Sequence, residues 1–569
     1  MHNLTRKLSR VLVPGALLLG AVAGCHSLVD LDEKPQTFID PTSFYRSAAD
    51  ARAAVNGVYA ALAGPWGFDA FMTIMCDDNE MTCWNWMSGG WTGHQSPSYV
   101  WTADYQAIHR ANDIIAQVPG AAGIDSATRR VAIAQAKFGR AYAYFDLVRR
   151  YGGVPLRTTP YKQESTLGDM PRASYAQVYG QVTADLKAAG DSLPKLYNGA
   201  YNGGALPTKA SAYGLLAKVY LEMAGHSVDT TTLNGKEAIY NDSALWAARM
   251  VRTVGGVQLD QRYMDVFNVS DQNSDPEILF SIQEVSNTNN STQIPQYFGP
   301  IGDCTRVGGC GLGFMELRPE FYETFDSTDK RVEHNVAIAF SWTQTNHWRR
   351  NPLLVLYDDS LQTLKAKGLV PFDSMTWDGG WDECGASFMH PTHKVTLLPG
   401  AIGNADTVTT FVGVSKPLYS LKYLDPNYPG TYNPIILRYA DVLLVHAEAA
   451  NEVNGPTAEA YAAIDSVRTR AGLPKLTPGL TQAQFRDSVW TERSHELYGE
   501  FQARFDLIRE GRWLTVMNRA VPSTVKHTGY YSTYPSYGVC HPRAAYQFLQ
   551  PIPNTELAAN QAITQNVGW

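Results

Sequence analysis

Apolar residues recur at helical spacing along most of the chain, and one long interval lacks that rhythm. In residues 434–455, Ile436, Ala440, Leu443, Ala447 and Ala450 fall on a single stripe, the mark of a helix face. Asn433 is placed to cap the orphan amides, Pro434 suits the first helical position, and Gly455-Pro456 supplies a left-handed stop and a breaker. The stripe is narrow and alanine-rich, so a neighbouring helix is able to come close. Arg438, Asp441, Glu448 and Glu452 share another face, where they read first as a solvated salt-bridge row.

The same rhythm appears upstream. Ala48, Ala51, Val55, Val58 and Leu62 share a face, stopped by Gly64-Pro65. Residues 104–118 follow, then a stronger helix with Ala134, Phe138, Ala141, Phe145 and Val148 inside, closed by Gly152-Gly153 and Pro155. Further helices read at 171–193, 207–225 and 242–254, the second with Ala212, Leu216, Val219 and Met223 before Gly225. Helix pairs of this size resemble tetratricopeptide units of roughly 34 residues in degenerate form, which predicts stacked pairs rather than a regular solenoid. After residue 455, Thr457 caps a helix holding Ala460, Ile464, Val467 and Ala471, and ending at Gly472 and Pro474. Thr481 with Gln484 has capping-box spacing and opens a helix read through Leu497, Phe501, Phe505 and Ile508 to Gly511.

The rhythm fails in two places. Residues 68–101 hold Asp78, Asn79, Glu80, Trp84, Asn85, Trp86, Gly89-Gly90 and Trp91, a composition of loop with aromatics. Residues 261–432 show only strand-like scraps at 278–282 and 408–414 amid Gly, Asn, Asp and Trp; compact domains rarely carry so much irregular chain without using it. Gly308-Gly309-Cys310-Gly311-Leu312-Gly313 lacks the Lys-Ser/Thr of a phosphate loop and reads as turns. The predicted fold class is mainly α, with tetratricopeptide-like helix pairs, few short strands and a loop-rich, irregular ligand-binding face.

Residues 1–24 stand apart: a basic head of Arg6, Lys7 and Arg10, an apolar run from 11 to 23, and Val22-Ala23-Gly24-Cys25. This resembles a bacterial lipoprotein signal, which implies a lipid on Cys25; an ordinary secretory peptide is the alternative. Removing it makes the net charge three units more negative than −7, and no basic run remains, which argues against nucleic acid. No later segment is long and apolar enough to span a bilayer, so membrane contact is expected by anchor only. The cysteines make no C-x-x-C pair, so zinc and thioredoxin-like chemistry lack support, and neither metal nor cofactor is expected. Cys76 with Cys83 and Cys304 with Cys310 are the natural local disulfide pairs of an exported chain, with free buried thiols as the alternative.

Several stretches together resemble the SusD/RagB family of outer-membrane nutrient-binding lipoproteins. Near the start these are Leu31-Asp32-Glu33-Lys34-Pro35, Ala111-Asn112, Tyr144-Phe145 and Tyr151-Gly152-Gly153-Val154-Pro155. Pro171-Arg172, Asp185-Leu186, Asp329 and Arg331 continue them. The strongest part is Arg438-Tyr439-Ala440-Asp441-Val442-Leu443-Leu444, Glu448-Ala449, Arg470-Ala471-Gly472, Glu492-Arg493, Glu496-Leu497, Arg504-Phe505-Asp506-Leu507 and Pro551-Ile552-Pro553. Gln135 departs from a usual Glu, Gly139 from a usual apolar residue and Trp569 from a usual Tyr. The resemblance implies an outer-membrane, cell-surface protein whose partner is a SusC-like TonB-dependent transporter, and it makes the 434–455 helix scaffold. It divides the chain into a signal at 1–24, a lipidated tether at 25–45 and a helical region at 46–260. A ligand-binding region at 261–432, a helical unit at 433–515 and a packed tail at 516–569 complete it.

Sugar rings present flat C–H faces, so a glycan site needs aromatic platforms flanked by amides or carboxylates. Trp84, Trp86 and Trp91 beside Asp78 and Asn79 form the first candidate set, and Trp342, Trp348, Trp377 and Trp381 the second. The rival ligand is a peptide, since helix-pair arrays hold extended chains. Catalysis finds little footing: His495-Glu496 lacks the second His of a zinc protease because Gly499 stands there. Glu496 and Glu500 with Arg504 read instead as intrahelical pairs.

Overall fold

The computed structural model describes residues 44–63, 81–83, 98–161, 169–225, 235–284, 293–299, 311, 315–317, 319–322, 324–326, 328–333, 336–344, 355–357, 390–396, 409–415, 418–420, 422–427, 430–518 and 543–569. Among the described residues, ten helices longer than six residues form the body. In the N-terminal half these are α1 (Ala48–Ala63), α2 (Ser98–Gln117), α3 (Ser126–Tyr151), α4 (Tyr175–Ser192), α5 (Lys209–Ala224) and α6 (Glu237–Val254). Later come α7 (Tyr439–Asn454), α8 (Ala458–Arg470), α9 (Gln482–Leu497) and α10 (Ala503–Arg509). Each of α1 to α6 packs on the next, α7 packs on α6, and both α8 and α9 pack on α7. The chain is thus mainly helical, in tetratricopeptide-like pairs, as the periodicity requires.

Local chemistry sets the helix starts. Asp125 accepts from the amides of Ala127 and Thr128, Ser174 forms a capping box with Gln177, and Thr208 forms one with Ser211. Thr457 and the Thr481/Gln484 box act as their spacing predicts. One core of alanines, aliphatics and aromatics runs through α1 to α9, including Leu216, Leu444 and Phe138, all fully buried. Each such side chain stabilises by about 1.5–3 kcal/mol. Small residues set the helix spacing: a methyl on Gly139 of α3 would lie 2.7 Å from Val58 Cγ1 of α1, so an apolar side chain there would push the helices apart.

Several boundaries differ from the reading of the sequence: α2 starts at Ser98 and not near 104, α6 at Glu237 and not near 242, and two differences reach further. Residues 435–438 are a strand, β9 (Ile435–Arg438), and α7 starts only at Tyr439 with no side-chain cap. The Asn433 and Pro434 that imitate a helix start lead into the strand instead, and the Asn433 carboxamide Oδ1 accepts from the Glu284 amide at 2.9 Å. The helix read through to Gly511 breaks after Leu497: Gly499 (φ 72°) and Phe501 (φ 64°) adopt left-handed backbone before α10 resumes.

Outside the array the strands are short. β2 (Ile278–Ser281) pairs antiparallel with β9, and β1 (Met81–Cys83) with β3 (Met315–Leu317). β4 (Val336–Gln344) lies between β5 (Val355–Tyr357) and β7 (Thr409–Ser415), with β6 (His390–Thr396) beyond β7 and β8 (Leu418–Ser420) also on β4. Under them lies a second core, rich in rings: Tyr263, Phe267, Phe298, Phe321, Tyr423, Tyr432, Tyr498 and Phe501.

Candidate functional site

Trp84, Trp86, Trp91, Asp78, Asn79, Trp348, Trp377 and Trp381 lie outside the described residues, as do Cys25, Cys76, Cys304 and Cys310. Of Cys83 and Trp342 the structure describes the backbone. Cys83 ends β1 opposite Met315 of β3, β3 packs on β8, and β8 pairs with β4, in which Trp342 stands opposite Val414. The strand that leads into residues 84–91 is thereby tied to the sheet that carries Trp342. The two candidate stretches, more than 200 residues apart in sequence, are rooted in adjoining strands.

That sheet is held at both ends by buried charge. Its chain departs past Asp329 and Arg331 and returns through Lys422, and all three side chains are buried against the end of α9. Arg331, with no exposed surface, donates to Asp329 at 2.6 Å, Glu492 at 2.6 Å and Glu496 at 3.2 Å. The Lys422 ammonium donates to the Tyr498 carbonyl at 2.6 Å and to Glu500 at 2.8 Å, and lies 3.8 Å from the centre of the Tyr498 ring. Arg438 sits between them: it meets Glu277 at 2.8 Å, Glu496 at 2.5 Å and Glu500 at 2.8 Å, and donates to the Glu496 carbonyl at 2.7 Å. Arg470 closes the cluster on Glu277 at 3.0 Å and on Glu496.

Burial and the field of these cations together set the protonation states. Burial pushes the Glu496 carboxyl upward, yet the guanidinium groups of Arg470, Arg438 and Arg331 outweigh it and hold it at about 2. Burial lowers Lys422 to about 8, because the Glu500 carboxylate offsets only part of the desolvation. His495 goes down to about 3, by burial and then by Arg331 and Arg468; its Nε2 lies 2.8 Å from Thr324 Oγ1 and its ring stacks on Phe325 at 4.0 Å. A histidine held neutral against a ring is a packing element, and Glu496 beside it is locked in ion pairs. Among the described residues no group of three or more His, Cys, Asp or Glu side chains is placed to hold a metal ion.

Two readings of the charged residues need correction. Arg438, Asp441 and Glu448 form no solvated row: all are buried, and Arg438 and Asp441 have separate partners. Asp441 binds Lys218 at 2.7 Å and Arg493 at 2.5 Å, and Glu448 binds Arg509 at 2.5 Å. Glu496 and Glu500 make no intrahelical pairs; Glu500 lies beyond the end of α9, and Arg504 donates to the carbonyls of Gln547 and Phe548. Periodicity misses these contacts because every partner comes from a distant segment. Asp329 and Arg331 were visible only through the family resemblance, and Lys422 carried no local signal at all.

Known proteins resemble this architecture along its length. Residues 31–221 match a family model described as starch-binding associating with outer membrane, and residues 419–569 match the SusD family model. SusD-like protein P2 of Formosa agariphila is 24% identical over 577 residues, which cover 97% of each chain. The crystal structure of a SusD homolog from Bacteroides thetaiotaomicron superposes with a TM-score of 0.68 at 23% identity, over 93% of this chain and 98% of that one. A laminarin-binding SusD-like protein superposes with a TM-score of 0.64 at 20% identity, over 92% of this chain and 100% of that one.

Proposed function

Because the chain belongs to the SusD/RagB family, we propose that it binds oligosaccharide on its irregular face and passes it to a TonB-dependent outer-membrane transporter. In this reading Cys25 carries the lipid that holds the protein at the cell surface, and residues 261–432 with the 68–101 loop form the binding region. No described helix is long and apolar enough to cross a membrane. The observation that carries the proposal is the joining of β1 to β3 and of β3 to the β8/β4 edge. It roots the strand that leads into residues 84–91 beside the sheet that carries Trp342. Further support comes from the starch-binding description of the model matched by residues 31–221 and from the laminarin-binding neighbour. The role is recognition without turnover, since Glu492, Glu496 and Glu500 are committed to buried arginines and Lys422.

A glycan array on the full-length protein, followed by titration of the best oligosaccharide against Trp86→Ala and Trp381→Ala, tests this. Each variant is expected to weaken binding about tenfold with an unchanged melting temperature. Binding to a peptide library in place of glycans, or turnover of a glycan, would overturn the proposal.

A further inference from the structure

Three helices meet at one buried imidazole, on the seam where the N-terminal array joins the later helices. His446 of α7 has 1% of its surface exposed. Its Nε2 lies 2.7 Å from Oε1 of Glu459, in the first turn of α8. Glu459 in turn accepts from both arms of Arg249 of α6, at 2.8 and 2.6 Å. One carboxylate thus fastens α6 and α8 to α7 through a single ring. The other ring nitrogen, Nδ1, is buried with no hydrogen-bond partner among the described residues. An ionised carboxylate only accepts, which assigns the proton to Nε2 and leaves Nδ1 as a bare lone pair.

A second proton on the ring would sit on Nδ1, as a buried N–H with nothing to accept it. The new charge would face Arg249 and Arg252 of α6, while the one facing carboxylate, Glu459 of α8, is already shared with Arg249. The cations of the other elements against α7 are engaged elsewhere. Lys218 of α5 and Arg493 of α9 hold Asp441, Arg486 of α9 holds Glu452, and Arg438 of β9 lies in the glutamate cluster. Burial accordingly lowers His446 below its ordinary 6.5, against the pull of Glu459. Hydrogen bonds from Arg249 above all hold Glu459 at about 2, so the ring is the member of the three that can change charge in mild acid. Because its value is lowered on folding, its contribution is complete above about pH 6.5 and is lost as the pH falls through the lowered value.

We propose that His446, Glu459 and Arg249 form an acid-released clasp, which holds α6 and α8 on α7 while the imidazole is neutral and loosens them once it is protonated. Hydrogen–deuterium exchange of the full-length protein at about pH 7 and about pH 5, corrected for intrinsic rates, tests it. Peptides covering α6 and α8 are expected to exchange roughly tenfold faster at the lower pH in wild type. His446→Gln, a neutral side chain that still donates to Glu459, is expected to change less than about twofold. Glu222, pushed up to about 7, titrates in the same range with the opposite sign, so the difference between the two proteins is the reading. Equal acceleration in wild type and His446→Gln, or none in either, would overturn the clasp. NMR of the labelled imidazoles in wild type gives a second test that needs no variant to fold. A neutral His446 ring protonated at Nε2 that titrates below 6.5 is expected; a ring that titrates at or above 6.5, or stays neutral down to about pH 4, would overturn it.

Discussion

The core of the helical array and the core beneath the irregular face are equally buried, yet they are built from different residues. In α1 to α9 alanines and aliphatics, with aromatics such as Phe138 and Phe145 among them, pack on helix stripes against the adjacent helix. Beneath the strands, rings surround Arg331, Lys422, Arg438, Glu277, Glu496 and Glu500. Apolar stripes define a helix pair but give loops no register. Buried charges do, because an ion in the interior is tolerated only where its partners meet it with good geometry. The difference teaches that the scaffold is held by periodic packing, with ion pairs such as Asp441–Lys218 and Glu448–Arg509 between its helices, whereas the irregular strands depend on point anchors at Asp329–Arg331 and Lys422.

The largest effect expected from breaking that contrast is at Arg438. Arg438→Ala leaves Glu277, Glu496 and Glu500 short of countercharge in the interior, and a loss of about 3–5 kcal/mol in urea unfolding is expected. A loss below about 1 kcal/mol would mean that the cluster is not the anchor. Leu216→Ala in α5 removes a fully buried side chain from the array, and a loss of about 2–5 kcal/mol is expected. Here the folded fraction should keep its affinity for oligosaccharide, which titration at 15 °C would show.

Titration of one carboxyl from each region is expected to differ in sign. Glu496 is held at about 2, below its ordinary 4.5, so its contribution is complete above about pH 4.5 and lost as the pH falls toward 2. Glu222 in α5 is pushed by burial, which Arg149 only partly offsets, to about 7. Its contribution is complete below about pH 4.5 and lost as the pH rises through 7. Melting temperature against pH should therefore fall on both sides, and Glu222→Gln should flatten the neutral side by roughly 1–3 kcal/mol while sparing the acid side. A variant that changed the acid side would contradict the assignment. The smallest effect is at a helix end: Thr481→Ala removes a capping box from α9 and should cost about 1 kcal/mol in urea unfolding.

The contrast also explains what could be read from the chain alone. Thr457, Thr481 with Gln484, and Gly455 act within one helical turn, so their roles were legible. Pro434 misled because a proline after Asn looks the same before a strand as before a helix. Leu497, Phe501, Phe505 and Ile508 kept helical period across a real break, and Gly499 was the one local sign of it. The charge cluster was illegible: Arg438 and Glu277 are 161 positions apart, and no spacing rule joins them. Many of the chain's aromatics, among them Phe298, Tyr423 and Tyr498, fill the second core and offer no ligand platform there. The tryptophans proposed for that role lie largely outside the described residues, and their part in binding is a proposal resting on the strands beside them.

Hydrogen–deuterium exchange with and without the oligosaccharide that binds best on the array tests the central claim most directly. The account predicts ligand protection in peptides covering residues 84–91, 342–348 and 377–381, and none along α1 to α6. Protection confined to the helical array, with the irregular face unchanged, would contradict it.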